Sequence, residues 1–379
     1  MSTLSKLSYF SRRKLWTLPL SAALSFGSLS TAAATSFSRV DLVTDDQAAN
    51  PAQITDTSLV NAWGISYAPT GPFWISDNGT GLSTLYIVNP STNATTKLDL
   101  NLSIPGAGNV TGQVFNNNAA AFNGNLFIFV SEDGTVSGWR GVGSSAETLI
   151  TGSSQNLYKG VAEASFSGNS YLYAANFKTG RIDVLKGTPA ADDLRGQFTD
   201  PNLPNGYAPF NIQNLNGTLY VTYALQDANS PDELAGAGLG FVDAFDLQGN
   251  LLQRVASQGT LNAPWGLAIA PASFGELAGD LLVGNFGDGT INAYAASDHS
   301  FVGQLTGTDG NPLAIDGLWA LSIGNGTASG SLDKLYFTAG PNDETHGLFG
   351  SIAAVPVPAS VWLFGPAILG LLGLGRAKS

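Results

Sequence analysis

Ala263-Pro264-Trp265-Gly266-Leu267, then Leu281-Leu282-Val283-Gly284-Asn285-Phe286-Gly287-Asp288-Gly289, then Thr290-Ile291-Asn292-Ala293-Tyr294: this stretch decides the fold. A small-residue turn opens onto a short apolar strand. A second apolar strand ends in polar residues. Asp288-Gly289 is a hairpin dipeptide, and a third strand follows it. One such unit cannot bury its own apolar faces, so the reading depends on whether the unit recurs.

It recurs on both sides. Toward the N-terminus stand Asn61-Ala62-Trp63-Gly64-Ile65 with Phe73-Trp74-Ile75-Ser76-Asp77-Asn78-Gly79, and a weaker unit around Leu126 to Val130 with Asp133-Gly134. A third unit holds Lys159-Gly160-Val161-Ala162 and Tyr173-Ala174-Ala175-Asn176-Phe177, and a fourth holds Ala208-Pro209-Phe210-Asn211-Ile212 and Leu219 to Tyr223. The sixth is Gly317-Leu318-Trp319-Ala320-Leu321 with Leu335 to Ala339. The anchors recur at the spacing of four-stranded propeller blades. The expected fold is therefore all-β, a six-bladed β-propeller over residues 35–354, with a seven-bladed ring or a pair of β-sandwiches as the alternatives. Outer strands are expected from Thr95 to Leu100, Glu147 to Ile150, Leu251 to Val255 and Phe301 to Leu305. No long segment of the body keeps a 3.6-residue period, so helix should be scarce.

The two ends read as addresses. Residues 1–34 carry Arg12, Arg13 and Lys14, a mostly apolar run and Ala32-Ala33-Ala34, the pattern of a secretory signal peptide. Residues 355–379 carry Val357-Pro358-Ala359, an apolar run from Val361 to Gly375 and the basic pair Arg376 and Lys378. That run is at the lower limit for a membrane helix, and the basic end would stay on the cytoplasmic side.

Between the ends lie all 28 acidic residues but only ten of the 16 basic ones, a net charge near −18. Such a body repels phosphate backbones, which argues against nucleic-acid binding. There is no cysteine, so thiol catalysis, iron–sulfur clusters and cysteine zinc sites are excluded. His299 and His346 are the two histidines, too few for a histidine-rich metal site. No Gly-x-Ser-x-Gly elbow or Walker loop is present.

The tail, from Val357-Pro358-Ala359-Ser360-Val361-Trp362-Leu363-Phe364 onward, resembles the PEP-CTERM sorting signal of Gram-negative bacteria, although the Glu of its Pro-Glu-Pro motif is absent. The resemblance implies export through the Sec machinery, recognition by exosortase, and surface or extracellular display in an exopolysaccharide context. The body resembles an uncharacterised family of exported bacterial proteins that carry such tails. It does so through Tyr158-Lys159-Gly160-Val161-Ala162, Pro264-Trp265-Gly266-Leu267-Ala268 and Asp316-Gly317-Leu318-Trp319, among other strings.

More distantly the blade pattern is similar to NHL-repeat and gluconolactonase-type propellers. That likeness implies that two loops of each blade meet at one face of the ring. Asn61, Lys159, Asn211 and Asn262 would come from the first loop. Asp77, Asn78, Glu132, Asp133, Asn176, Asn285 and Asp288 would come from the second. Asp77, Asn78, Asn176, Asn211, Asn285 and Asp288 are the oxygen donors expected to hold Ca²⁺ or Mg²⁺ if a metal binds. Asp and Asn before Gly are also ordinary turn formers. Trp63, Trp265 and Trp319 occupy equivalent places and read either as packing or as a platform for sugar rings. Two functions follow: a surface binding module that contacts polysaccharide, or a divalent-metal-dependent lactonase or esterase at the channel mouth.

Overall fold

The computed structural model describes residues 35–107 and 109–355. The leader, the tail and the sorting motif of Val357, Pro358, Ala359, Arg376 and Lys378 lie outside the described residues. Within them six antiparallel sheets form the blades of a propeller, which sets aside the seven-bladed and sandwich alternatives. Among the described residues helix is confined to two 3₁₀ segments, Phe122–Gly124 and Ala272–Leu277. Among the described residues no helix is long and apolar enough to cross a membrane.

Blade 1 runs Ala62–Ser66, Phe73–Asp77, Leu82–Val88, Thr95–Ser103 from channel to rim. Blade 2 is Val110–Phe115, Phe127–Ser131, Val136–Trp139, Glu147–Ile150. Blade 4 begins at Tyr207–Leu215 and ends at Leu251–Ser257, and blade 5 begins at Pro264–Ile269 and ends at Phe301–Gln304. The first strands of all six neighbour one another around a closed ring.

Three blades depart from the repeat: blade 4 carries an inserted short strand, Glu233–Leu234, paired with Thr218–Gln226, and blades 3 and 6 differ at the rim. Blade 3, Tyr158–Phe166, Asn169–Asn176, Arg181–Lys186, has three strands. At its rim an irregular segment buries Ala191 and Phe198, and bonds through Gly196 and Phe198 to the Gln248–Gly249 turn of blade 4. Blade 6 takes its outer strand from the other end of the chain. Leu318–Ile323, Leu335–Ala339 and Leu348–Val355 are followed by Ser36–Thr44, paired antiparallel from Ser36↔Val355 to Thr44↔Leu348. The first described strand thus closes the ring onto the last, which removes two open edges without any disulfide.

The core follows from strand periodicity. Both faces of every blade are covered, so alternate side chains serve different layers. In Leu281–Asn285, Leu281 and Val283 pack against blade 4 while Leu282 packs against blade 6. In Leu335–Ala339, Leu335, Phe337 and Ala339 face blade 5 and Tyr336 faces blade 1. Continuous apolar runs in the second strands are what such two-sided burial requires.

Candidate functional site at the channel mouth

The pairing of first and second strands slips near one end of every blade. The shifts fall between Ala62 and Ile65, Val110 and Gln113, Tyr158 and Gly160, Pro209 and Asn211, Pro264 and Gly266, and Leu318 and Leu321. A bulge re-aims the side chain it carries. In four blades that residue is a large aromatic: Trp63, Phe210, Trp265 and Trp319 are buried together in the channel. Trp63 stacks on Trp319 with centroids 3.6 Å apart, and Phe286 stacks on the other side of Trp319 at 4.0 Å. The three tryptophans are at most 4 % exposed, so they form the floor of the mouth and offer no open platform for sugars.

Blade 3 places Lys159 where four of the other blades place aromatics. Its side chain is 2 % exposed, and its Nζ lies 2.7 Å from a Glu132 carboxylate oxygen, 3.6 Å from Asp232 and 3.7 Å from Glu233. The ammonium also stands 5.1 Å from the Trp63 ring centroid and 5.9 Å from that of Phe177. Burial disfavours its charge, but Glu132, Glu233 and Asp232 outweigh burial and hold it above the ordinary lysine value. Lys159 is therefore a permanent cation resting on aromatic faces and ringed by carboxylates.

Loops from other blades complete the ring. Asn61 Nδ2 donates to Glu344 Oε2 at 2.5 Å and to Asn78 Oδ1 at 3.2 Å. Trp319 Nε1 donates to Asn61 Oδ1 at 3.0 Å, and Asn78 Nδ2 reaches Glu132 at 3.4 Å. Glu344 ends a run of three left-handed residues, Asn342, Asp343 and Glu344, with φ of 58°, 51° and 63°. Non-glycine residues adopt this region singly and at a cost, so a run of three marks a loop shaped for what it presents. Gly340 makes room beside it, since a Cβ there would stand 2.2 Å from Asn61 Oδ1. Burial pushes Glu233 up to about 7, against the pull of Lys159. Burial also raises Glu344, opposed by its bond from Asn61 and by Lys159.

Of the six oxygen donors expected from sequence, Asn78 alone joins this cluster. Asp77 is fully buried within blade 1 with neither carboxylate oxygen hydrogen-bonded, and burial holds it well above the usual carboxylate range. Asn176 accepts from the Leu157 and Thr179 amides and donates to Asn156 and Asp183. Asn211 donates to the Trp265 carbonyl, tying blade 4 to blade 5. Asn285 accepts from the Asn262 amide, and Asp288 accepts from Thr290 and Asn262. Among the described residues no three His, Cys, Asp or Glu side chains are grouped to hold a metal ion. His299 pairs with Gln253 on the rim of blade 5. His346 belongs to the Glu344 loop but turns away to Asp45, 2.9 Å distant.

Glu233 and Asp232 escape a reading by repeats because they sit in an insertion of blade 4, whereas Glu344 sits in the blade 6 loop between second and third strands, equivalent to the loops that carry Asn78 and Glu132. Lys159 carried a legible signal: it stands before Gly160 as Trp265 stands before Gly266. The opposite end of the channel is a hollow of about 290 Å³ lined by strand backbone and by Gln113, Glu163, Gln213 and Asn214.

The sequence matches no known family profile. It is 33 % identical to the uncharacterised protein R648 of Acanthamoeba polyphaga mimivirus over 80 % of this chain and 77 % of that one. A second mimivirus protein, the uncharacterised L690, is 31 % identical over 78 % and 81 %. The chain belongs to the family of these two proteins. Among solved structures, the GH93 α-L-arabinofuranosidase of Fusarium graminearum superposes with a TM-score of 0.50 at 12 % identity, covering 84 % of this chain and 98 % of that one. A streptogramin B lyase superposes with a TM-score of 0.46 at 11 % identity, over 85 % and 98 %. At such identities the arabinofuranosidase match speaks for the propeller fold alone, since one fold hosts many activities.

Proposed function

We propose that the chain is an exported binding module that holds a polar ligand at the Lys159 mouth of its propeller, with saccharide the first class to test. The observation that carries this reading is the caged ammonium. A hydrolase built on a divalent cation needs open carboxylate and amide oxygens converging on one point. Here Glu132, Asp232 and Glu233 converge on Lys159, which already supplies the positive charge. What remains is a rim of donors and acceptors, suited to recognition of hydroxyl-rich groups. For the ends of the chain we infer Sec-dependent export and exosortase processing at the Val357-Pro358-Ala359 motif, which the intact mass of the recovered protein checks.

The test is a thermal shift of the full chain with Ca²⁺, Mg²⁺ or EDTA, and separately with purified exopolysaccharide or its oligomers. Stabilisation by saccharide alone, reduced in a Glu344→Gln variant, is the expected result. Stabilisation by a divalent cation, reversed by EDTA, would overturn it and return the metal-dependent lactonase reading with Ca²⁺ or Mg²⁺ as its ion.

A further inference from the structure

Beside Lys159 the mouth opens into a cleft of about 360 Å³. The blade 4 insertion contributes Asp232 and Glu233, blade 5 contributes Phe286, and the blade 6 loops contribute Asp316, Asp343 and Glu344. Five carboxylates face this space and no basic residue lines it. The nearest cation, Lys159, gives its short contact to Glu132. Glu233 has a side chain 5 % exposed, and its Oε2, 3.7 Å from Lys159 Nζ, accepts no hydrogen bond. A buried carboxylate oxygen without a donor is costly and asks for one.

We propose that this cleft binds its ligand by a primary ammonium group, which pairs with the Glu233 carboxylate and neutralises the surrounding acids. The inference rests on the mouth being a binding site and names the group it selects. The carboxylates line the walls and do not converge, which suits an organic cation better than a metal ion. Phe286 lies with one face against Trp319, and its ring borders the cleft, where an ammonium is attracted to an aromatic face. Three donors on one ammonium serve several acceptors at once. The raised value of Glu233 adds a signature: the cation must hold this carboxylate ionised, so binding should weaken as pH falls below about 7.

Two sources offer this chemistry, an amino sugar and an aliphatic polyamine, and calorimetry on the full chain separates them. The probes are a glucosamine oligomer, its N-acetylated counterpart, spermidine and Mg²⁺. Binding of at least one ammonium ligand, roughly tenfold or more tighter than the N-acetylated sugar and than Mg²⁺, is expected. Binding of spermidine, whose primary amines stay charged over this range, should weaken several-fold from pH 8 to pH 6, and binding of the ammonium ligand should weaken by roughly tenfold in Glu233→Gln. Asp343→Asn serves as a second variant, since asparagine tolerates the left-handed conformation there, with φ of 51°. Saturable binding of neither ammonium ligand overturns the inference. So does equal binding of the N-acetylated sugar, which would leave the mouth a saccharide site without charge selection. Spermidine binding alone assigns the source to polyamines, and glucosamine binding alone assigns it to amino sugars.

Discussion

The two ends of the channel are built from the same six strands and share almost nothing else. At the far end the lining is repeated backbone with neutral amides and one carboxylate, Glu163. Gln113 Nε2, for instance, donates to the Gly64 and Trp74 carbonyls at 2.9 and 2.8 Å. At the mouth the lining is side chains that follow no repeat, three carboxylates among an amide, an ammonium and an aromatic ring: Asn78, Glu132, Lys159, Glu233, Phe286 and Glu344. A repeat makes a scaffold by sameness and a site by exception. The far end is held together by hydrogen bonds, the mouth by charge compensation.

That contrast can be broken in three ways. The largest effect should come from Lys159→Met, which leaves Glu132 and Glu233 without their counter-ion. Removing one partner of a buried pair costs roughly 3–5 kcal/mol, read as a lowered midpoint in urea. If the midpoint holds, charge compensation does not maintain the mouth.

Next is pH. Glu233 has an ordinary value of 4.5 and is raised to about 7 in the fold. The folded state therefore holds its proton more tightly than the unfolded chain does. The stability this contributes is fully present below about pH 4.5 and is lost as pH rises through 7. Glu233→Gln should remove on the order of 3 kcal/mol of the loss between pH 5 and pH 8. A parallel drop in the variant would show that another group titrates. Asp77 adds in the same direction, since burial also raises it.

The smallest effect belongs to the far end. Gln113→Ala frees two buried carbonyls and should cost about 2 kcal/mol with no change in the pH profile. If it alters the profile as well, the two ends are coupled through the aromatic floor.

The blades were legible because each is announced locally by short apolar strands between small-residue turns, helped by a Trp-Gly or Pro-Phe anchor in blades 1, 4 and 5 and an Asp-Gly hairpin in blades 2 and 5. Gly134 and Gly289 take up φ of 81° and 72° in those hairpins. The closure of the ring was not legible. Nothing local in Ser36–Thr44 says that it pairs with Leu348–Val355, more than three hundred residues away. The site was legible in part. Lys159, Glu132, Asn61 and Asn78 fell among the loops expected at one face, because repeat position fixes where a loop points. Asn176, Asn285 and Asp288 fell there too, yet their oxygens are occupied by neighbouring amides and hydroxyls. The same side chain suits a turn and a ligand, and sequence does not say which partner it finds. Glu233 comes from an insertion outside the repeat register, where periodicity gives no position at all, while Glu344 stands in the second-to-third-strand loop of blade 6, whose position the repeat does give.

The ring closure also decides how the molecule carries load. Thr44 and Leu348 pair at the mouth end of the last blade, and Ser36 and Val355 pair at the other end, so the chain leaves the described body on the side opposite the mouth. Leu348–Val355 lies between two partners, Leu335–Ala339 and Ser36–Thr44. A pull on Val355 along the strand shears both ladders at once, which is the direction in which a sheet is strongest. A pull that separates Ser36 from Val355 peels the closing ladder one pair at a time, the direction in which it is weakest. Held by one end, the propeller is a firm mount with its mouth turned outward; held by both ends and drawn apart, it unzips.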